Sequence, residues 1–189
     1  LPFRYEDRTQ LTPLNKLALN RLDFSDNHQA QVVLGKIIQV SIVQKPKPQL
    51  YCLIADDTGQ LVLRFIHYNY AQKESFKIGA RVFAVGEVRH ASMGFEIIHP
   101  EYQLLSFEDT VPLSKTLTPI YPTTEGLSQR SWFQFSEQAL ALLNQGADME
   151  ELLSHSMLER LQLPALKQAI ITLHRPSKNE DFFTLNQAQ

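Results

Sequence analysis

Hydrophobic and polar residues alternate along the first half of the chain, and the period of this pattern changes near residue 106. Between residues 29 and 105, short alternating runs rich in β-branched and aromatic residues are typical of half-buried strands. Turn signals separate the runs, among them Asp57-Thr58-Gly59, which indicates a hairpin. The pattern predicts five strands, at residues 29–43, 49–56, 60–68, 80–90 and 94–105.

A polar, alanine-containing stretch from Tyr70 to Phe76 predicts a short helix between the third and fourth strands. Five strands with a helix in this place indicate an OB-fold, and an SH3-like barrel or a simple meander are the competing interpretations. The helix between the strands favours the OB-fold. The predicted fold class is therefore mixed β and α: a five-stranded OB-fold Greek-key barrel with a short N-terminal segment and a C-terminal helical extension.

From Leu127 onward the hydrophobic period is helical. The pattern predicts an amphipathic helix that ends at Gly146, a second helix capped by Asp148, and a third from Ala165 to His174 between two prolines. The apolar positions of the first two helices are Phe133, Ala139, Leu140, Leu142, Leu143, Met149, Leu152, Leu153, Met157 and Leu161.

The remaining segments predict little regular structure. Leu14–Leu22 predicts a short helix near the start, and the prolines of residues 106–126 predict an extended linker. The predicted organisation is an N-terminal segment at residues 1–28, a barrel at 29–105, a linker at 106–126, a helical extension at 127–176 and a tail at 177–189.

Composition narrows the class of protein. The chain has 189 residues, 43% of them hydrophobic, and a net charge of −2, which is not the charge of a strongly electrostatic nucleic-acid binder. Residues 29–105 carry eight basic and six acidic side chains, a slight positive excess. No run approaches the roughly 20 apolar residues of a membrane span. The single cysteine, Cys52, lies in an apolar run, so we expect a buried free thiol and a reducing, cytoplasmic compartment.

The motifs of common enzymes are missing from this sequence. It contains no G-x-x-x-x-G-K-[ST] loop, no H-E-x-x-H, no C-x-x-C and no G-x-S-x-G. The six histidines lack the spacing of metal ligands, and His99 is expected in a turn at a strand edge. Asp56 and Asp57 are expected to serve the hairpin turn. We therefore expect no catalytic site, no metal and no cofactor in this chain.

The stretch from Arg64 to Lys73 is the most informative for function, because it combines aromatic and basic residues at the end of the third strand. OB-folds bind single strands by stacking bases on aromatic rings in a positively lined groove. Alternation sends Phe65 and Ile66 to opposite faces, so one is core and the other exposed. The same residues could equally fill the barrel, and composition alone leaves the two interpretations open.

Five segments, in order along the chain, resemble motifs of the wedge domain of bacterial RecG-type DNA helicases. They are Leu1–Thr9 (LPFRYEDRT), Asp57-Thr58-Gly59 with Leu63-Arg64-Phe65, Ile98–Tyr102 (IHPEY), Leu117–Gln129 (LTPIYPTTEGLSQ) and Leu173–Pro176 (LHRP). The thirteen-residue segment matches almost letter for letter.

The resemblance implies an OB-fold that engages stalled forks and Holliday junctions. The parent protein would be an ATP-dependent DNA helicase of repair and recombination, with ATP and Mg bound by motor domains outside this chain. The implied partners are branched DNA and those motor domains; no membrane is implied, and a cytoplasmic monomer is expected.

The resemblance also points to individual residues. In the family, two ring-bearing positions around the third strand stack on unpaired bases, and the pattern places them at Ile66 and Tyr70. Ile66 has no ring and His67 replaces the usual Asn, so Phe65 or Tyr68 could take over, or Ile66 could act as an apolar wedge. The candidate DNA-binding residues are Tyr70, Ile66, Phe65, Tyr68, His67, Arg64 and Lys73.

Two alternatives from other classes remain. One is a single-strand nucleic-acid-binding OB module of another system, and the other is a protein-interaction domain that works through residues 127–175. Binding preference separates them: a wedge favours branched DNA, a single-strand module favours plain single strands, and an interaction domain binds neither well.

Overall fold

A computed structural model describes residues 1–21, 30–44, 47–92, 94–122, 125–147, 149–177 and 185, with the backbone alone at 18–21. Leu22, Gln29, Asp148 and most of the tail at 177–189, which carried predictions, lie outside the described residues. In chain order the elements are β1 Arg4–Glu6, a 3₁₀ helix Leu14–Arg21, β2 Gln31–Gln44, β3 Pro48–Ala55, β4 Gln60–Phe65, α1 Tyr70–Ser75, β5 Arg81–Gly86, β6 Val88–Ala91, β7 Gly94–Ile98, β8 Glu101–Leu105, β9 Thr118–Ile120, α2 Gln129–Asn144, α3 His155–Leu161 and α4 Leu166–His174.

These elements form two compact units, one of residues 10–113 and one of residues 1–9 with 114–189. The first contains the barrel and the second contains α2, α3 and α4. The predicted N-terminal segment contributes to both units, and the predicted domain boundaries stay predictions. No helix in the described part of the chain has the length and apolarity needed to cross a bilayer.

The unit of residues 10–113 is built on one curled sheet with the strand order β6-β7-β4-β3-β2-β5-β8. Neighbouring strands are antiparallel except β4 and β7, which are parallel. β7 and β8 lie at opposite ends of this order, yet only His99 and Pro100 separate them along the chain. The sheet must therefore curl back on itself, which gives the half-barrel of an OB-fold and confirms the predicted fold class.

The predicted fourth and fifth strands are each divided in two, so this sheet has seven strands rather than five. The fourth run is divided at Glu87, just after Gly86, where an added Cβ would lie 2.5 Å from Cγ2 of Ile97. The fifth is divided at His99, whose φ is +49°, and at Pro100, which has no N–H for a ladder. Each half pairs with a different neighbour, because the run crosses from one edge of the curled sheet to the other.

Alternate residues of the strands fill the barrel. Leu50, Cys52 and Ile54 of β3 face inward, as do Leu61, Leu63 and Phe65 of β4. Leu14 and Leu17 of the 3₁₀ helix join the same core, so the predicted front helix packs on the barrel. Cys52 is fully buried and unpaired, which confirms the expected buried free thiol, and this burial raises the pKa of the thiol to about 12.

Asp56 organises the β3–β4 hairpin, as expected for turn chemistry. Its carboxylate accepts hydrogen bonds from the backbone N–H groups of Thr58 and Gly59 and from the Thr58 hydroxyl, and also from the N–H of Leu14. Burial alone would raise the pKa of Asp56, but these hydrogen bonds outweigh it and lower the pKa. One carboxylate thus closes the turn and seats the 3₁₀ helix.

The unit of residues 1–9 with 114–189 begins with a strand pair that the sequence pattern did not predict. β1 pairs antiparallel with β9, with Arg4 opposite Ile120. α2 and α4 follow the predicted helices closely: the Ser128 hydroxyl accepts from the N–H of Ser131 at the start of α2, and Gly146 takes a φ of +97° beyond its end.

The second predicted helix starts later than expected. It was predicted from Asp148, but α3 begins only at His155. The Glu151 carboxylate accepts hydrogen bonds from the backbone N–H groups of Leu153 and Leu166, at 3.1 and 2.6 Å. A carboxylate that captures these donors competes with helix formation, so the residues before Ser154 stay irregular.

Candidate nucleic-acid interface

An exposed aromatic ring stands where the chain leaves β4 and enters α1. The Asn69 side chain caps this helix by accepting from the N–H of Gln72 at 2.7 Å. Tyr70 is therefore the first helical residue, and it is 74% exposed. The Lys73 ammonium lies 5.8 Å from the centroid of the Tyr70 ring, within the range of a cation–π contact. Ring and cation together form an exposed tip beside the barrel.

Phe65 and Ile66 face opposite ways, and the structure decides which one is core. Phe65 is 2% exposed, and its ring centroid lies 5.4 Å from that of Phe76 and 5.5 Å from that of Tyr102. Ile66 is half-buried, and Tyr68 packs partly against the core. Phe65 was one of the residues expected to stack on a base in place of Ile66, and for Phe65 this expectation is wrong. Its ring could reach a base only by leaving its contacts with Phe76 and Tyr102.

His99 holds the turn that presents Ile66 and His67. Its side-chain Nε2 accepts from the backbone N–H groups of Ile66 at 3.2 Å and His67 at 3.4 Å, and its backbone N–H donates to the Arg64 carbonyl at 2.8 Å. The exposed His67 ring stacks on the His99 ring, with centroids 5.8 Å apart. Because Nε2 accepts, the proton of this imidazole lies on Nδ1.

The expectation of a hydrogen-bonded turn at His99 is thus confirmed, but its place beside the candidate site was missed. His99 is more than 30 residues beyond the stretch it holds, since the His99–Ile66 bond spans 33 residues. Only the parallel pairing of β4 with β7 brings the two together. The pairing of β4 with β7 joins segments that are far apart in the chain, so no local sequence pattern predicts it.

Arg64 lies on the outer face of β4 and is held by polar neighbours. Its Nε donates to Gln49 at 2.9 Å, its Nη1 donates to Glu96 at 3.0 Å, and its guanidinium carbon lies 5.5 Å from the centroid of the Tyr51 ring. The charge of Arg64 is therefore paired with Glu96, and this residue is a weaker phosphate ligand than a free cation would be.

Other cations of the barrel unit also have acidic partners. Lys73 and Lys77 lie 3.8 and 3.7 Å from the two carboxylate oxygens of Glu74, and Arg89 lies 3.3 Å from Glu87. Exposed ion pairs of this kind are weak, but they reduce the local positive potential. In the described part of the chain, no cluster of three His, Cys, Asp or Glu side chains could hold a metal ion.

Three segments far apart in sequence meet in the second unit. The Tyr5 hydroxyl donates to the Leu173 carbonyl at 2.9 Å, and the Tyr121 hydroxyl lies 2.7 Å from Nδ1 of His174. Burial lowers the pKa of His174, which favours the neutral form of the ring in this contact. The Gln129 side chain clamps both backbone groups of Tyr121, donating to its carbonyl and accepting from its N–H.

The motif at the start of the chain has an equally specific geometry. Glu6 is buried, and its carboxylate accepts from Arg4 at 3.0 Å and from the Nη2 and Nε of Arg8 at 2.8 and 3.0 Å. A buried carboxylate needs such partners, because an unpaired charge is costly to bury. The segments RYEDRT, LTPIYPTTEGLSQ and LHRP thus carry the contacts that hold this unit together.

Comparison with known proteins identifies the family. A family model described as the RecG wedge domain matches residues 1–143. The chain belongs to the RecG wedge-domain family. The predicted resemblance is confirmed.

Several relatives of the RecG family match most of the chain, and all of them are named ATP-dependent DNA helicase RecG. That of Escherichia coli (strain K12) is 38% identical over 176 residues, 93% of this chain and 24% of its own length. That of Pasteurella multocida is 39% identical over 177 residues, with the same two coverages. That of Haemophilus influenzae is 35% identical over 189 residues, 100% of this chain and 26% of its own length.

A solved structure of RecG bound to a three-way DNA junction also matches. It covers 99% of this chain and 24% of the solved chain, with a TM-score of 0.62 and 26% identity. The chain therefore has the fold of the RecG wedge, and it spans about a quarter of the length of the relatives that it matches.

Proposed function

We propose that this chain is the wedge of an ATP-dependent DNA helicase that acts on stalled forks and Holliday junctions in repair and recombination. The observation that carries the proposal is Tyr70, an exposed ring at the first position of α1 in a chain of the RecG wedge family. The RecG of the solved structure is bound to a three-way DNA junction, which supports branched DNA as the partner.

The physical basis is the energy of stacking. Parting the first base pairs of a junction costs a few kcal/mol, and a ring stacked on an exposed base returns about 1–3 kcal/mol. Tyr70 supplies the ring, and Ile66 adds an apolar edge that can separate bases without stacking on them. Lys73, beside the Tyr70 ring, supplies a cation for the adjacent backbone.

The cations beside Tyr70 are paired with an acidic residue, so this surface has little net positive charge for binding phosphates. Such a surface is better matched to recognising the shape of a junction than to binding its backbone electrostatically. Phosphate contacts dominate the salt-dependent part of DNA affinity, and within the described residues Lys73 and Lys77 on and beside α1 share the Glu74 carboxylate. We infer that the motor domains of the parent protein supply most phosphate contacts, bind ATP and Mg, and pull the duplex in the cytoplasm. The wedge itself contributes the parting of the strands as a monomer.

Binding preference tests this function. We expect the chain to bind a three-way junction more tightly than a linear duplex or a single strand of the same length, because only the junction offers unpaired bases beside a branch. Fluorescence anisotropy with the three labelled DNAs at one salt concentration measures the preference. Tightest binding to the plain single strand would favour a single-strand module, and no binding to any of them would favour a protein-interaction domain.

A second prediction concerns the His99 turn. We expect His99→Gly to weaken junction binding by about 1 kcal/mol, roughly fivefold, because glycine accepts the positive φ but offers no acceptor to Ile66 and His67. His99→Gln places an amide oxygen near the position of Nε2, so it should bind junctions almost as well as the unsubstituted chain.

Junction affinity and urea unfolding are measured for the unsubstituted chain, His99→Gly and His99→Gln under the same conditions. A loss in His99→Gly that His99→Gln restores, with similar unfolding free energies, supports a positioning role for the acceptor. Equal junction affinities of the two variants would show that the turn does not depend on the acceptor.

A further inference from the structure

Two imidazole rings stack on each other at the tip that carries Tyr70. His67 lies in the turn between β4 and α1, and His99 lies in the turn between β7 and β8. Their ring centroids are 5.8 Å apart, and the two ring planes are inclined by 19°. His67 is exposed, and within the described residues its imidazole has no partner other than the His99 ring. Both ring nitrogens of His67 are therefore available to a ligand and to protons from the solvent.

The two histidines differ in what it costs to protonate them fully. The neutral His99 ring carries its proton on Nδ1, and its Nε2 accepts from the backbone N–H groups of Ile66 and His67. A proton on Nε2 would remove this acceptor and leave two backbone donors without their partner. The His67 ring loses no hydrogen bond to the described residues when it is protonated. As the pH falls, the proton therefore goes to His67, while the His99 ring beneath it stays neutral.

A protonated His67 would be a cation without an acidic partner. The lysines on and beside α1 share the Glu74 carboxylate, and Arg64 is paired with Glu96. Within the described residues, the histidine that forms an ion pair is His155, which belongs to the other unit. The titratable groups on the elements around the His67 turn are Arg64, Tyr68, Tyr70, Lys73, Glu74, Glu96, His99, Glu101 and Tyr102. Repulsion between two charged rings at the stacking distance keeps the histidine pair at a single positive charge.

We propose that protonated His67 binds a backbone phosphate of the junction, next to the base that stacks on Tyr70. The proposal rests on the proposed function, because the phosphate belongs to the DNA that is held at this tip. An imidazolium ring donates hydrogen bonds from both nitrogens and carries a positive charge, and charge-assisted hydrogen bonds to phosphate are stronger than neutral ones. His67 thus makes one part of junction binding depend on pH.

The direction of this dependence follows from which form of the ring binds. Histidine side chains in general titrate near pH ~6.5. Because the charged form binds the phosphate, proton uptake and DNA binding favour each other. Junction affinity should therefore rise as the pH falls through the histidine range, and it should decrease again as the pH rises through it.

The salt dependence of binding tests the proposal, because its slope counts phosphate contacts. Junction affinity is measured by fluorescence anisotropy at several salt concentrations, at about pH 6 and about pH 8, on either side of the histidine range. At the lower pH we expect the logarithmic slope to be steeper by about 0.9, the value for one neutralised phosphate of duplex DNA, and the affinity to be up to about fivefold higher. His67→Asn should show the same slope at both pH values. An unchanged slope in the unsubstituted chain, or a pH dependence that survives in His67→Asn, would overturn the proposal.

His67→Lys and His90→Asn are the matched variants. Lysine stays charged at both pH values, so His67→Lys should show the steeper slope at both of them. His90 is another exposed histidine of the barrel unit, and His90→Asn should keep the full pH dependence. A pH dependence that disappears in His90→Asn would assign the proton to a different ring and count against His67.

The same titrations separate this proposal from the proposed function. If the chain prefers the three-way junction to a linear duplex at both pH values, while His67→Asn keeps the pH dependence, the phosphate contact is absent and the wedge function stands. If the chain shows no preference for the junction at either pH, the wedge function fails, and the proposal for His67 fails with it.

Proton NMR of the imidazole C–H groups follows the titration directly in the unsubstituted chain. The signal that is missing from the spectrum of His67→Asn belongs to His67. Its titration midpoint should move to higher pH when the junction is bound, because the phosphate stabilises the charged ring. A midpoint that is the same with and without the junction would show that the ring does not bind a phosphate.

Discussion

Phe65→Ala is expected to lower the free energy of unfolding of the barrel by about 3–5 kcal/mol, the range for truncating a buried phenylalanine. The ring is 2% exposed and packs against Phe76, Tyr102 and the edge of His99, so its removal leaves a cavity in the core. Urea unfolding followed by circular dichroism measures the change. Phe107→Ala is the matched control, because Phe107 is 92% exposed and should have little effect.

Phe65→Ala also tests whether the Phe65 ring is a core residue or a DNA contact. A loss of stability, with unchanged junction affinity per folded molecule, agrees with a core position. Unchanged stability together with a loss of junction binding would instead mean that this ring, and not Ile66, meets the DNA.

Tyr70→Ala is expected to weaken junction binding by about 1–3 kcal/mol, roughly fivefold to a hundredfold, through the loss of one base–aromatic stack. Its stability should hardly change, since the ring is 74% exposed and, within the described residues, the face of the ring contacts Lys73 alone. Anisotropy titrations give the affinity, and thermal unfolding gives the stability.

Two control variants show whether an effect of Tyr70→Ala is due to the loss of the aromatic ring. Tyr70→Phe retains the ring and should retain binding, whereas Ile78→Ala removes an equally exposed side chain just past the same helix and should leave binding unchanged. A stability loss of several kcal/mol in Tyr70→Ala, without a change in affinity per folded molecule, would contradict its assignment as a stacking residue.

The barrel could be predicted because each strand alternates between the core and the outer face. The β2, β3 and β4 boundaries differ from the predicted ones by a few residues at most, and α2 and α4 follow their capping signals. β1 and β9 could not be predicted, because each has three residues and pairs with a partner more than 100 residues away. Three residues are too few for a period to show.

The candidate site was predictable in part. The middle of β4 is buried on both faces, since Val62 is buried on the outer face as Leu61 and Leu63 are on the inner one. Alternation therefore separates Phe65 from Ile66 without saying which is core. Tyr70 could be singled out only by resemblance to a family motif, and its exposure agrees with that assignment.

The pairing of β1 with β9 has a consequence for the order of folding. Arg4 meets Ile120, and the N–H of Ser114 donates to the Arg8 carbonyl, so the whole barrel is a loop inserted between two contacts of the other unit. Closing a flexible loop costs entropy that grows with the length of the loop. When residues 10–113 are folded, the flexible part of the chain between β1 and β9 is much shorter, because only the segments that connect the barrel to these strands remain unfolded. We therefore expect the β1–β9 pair to close at a lower entropic cost after residues 10–113 have folded than before.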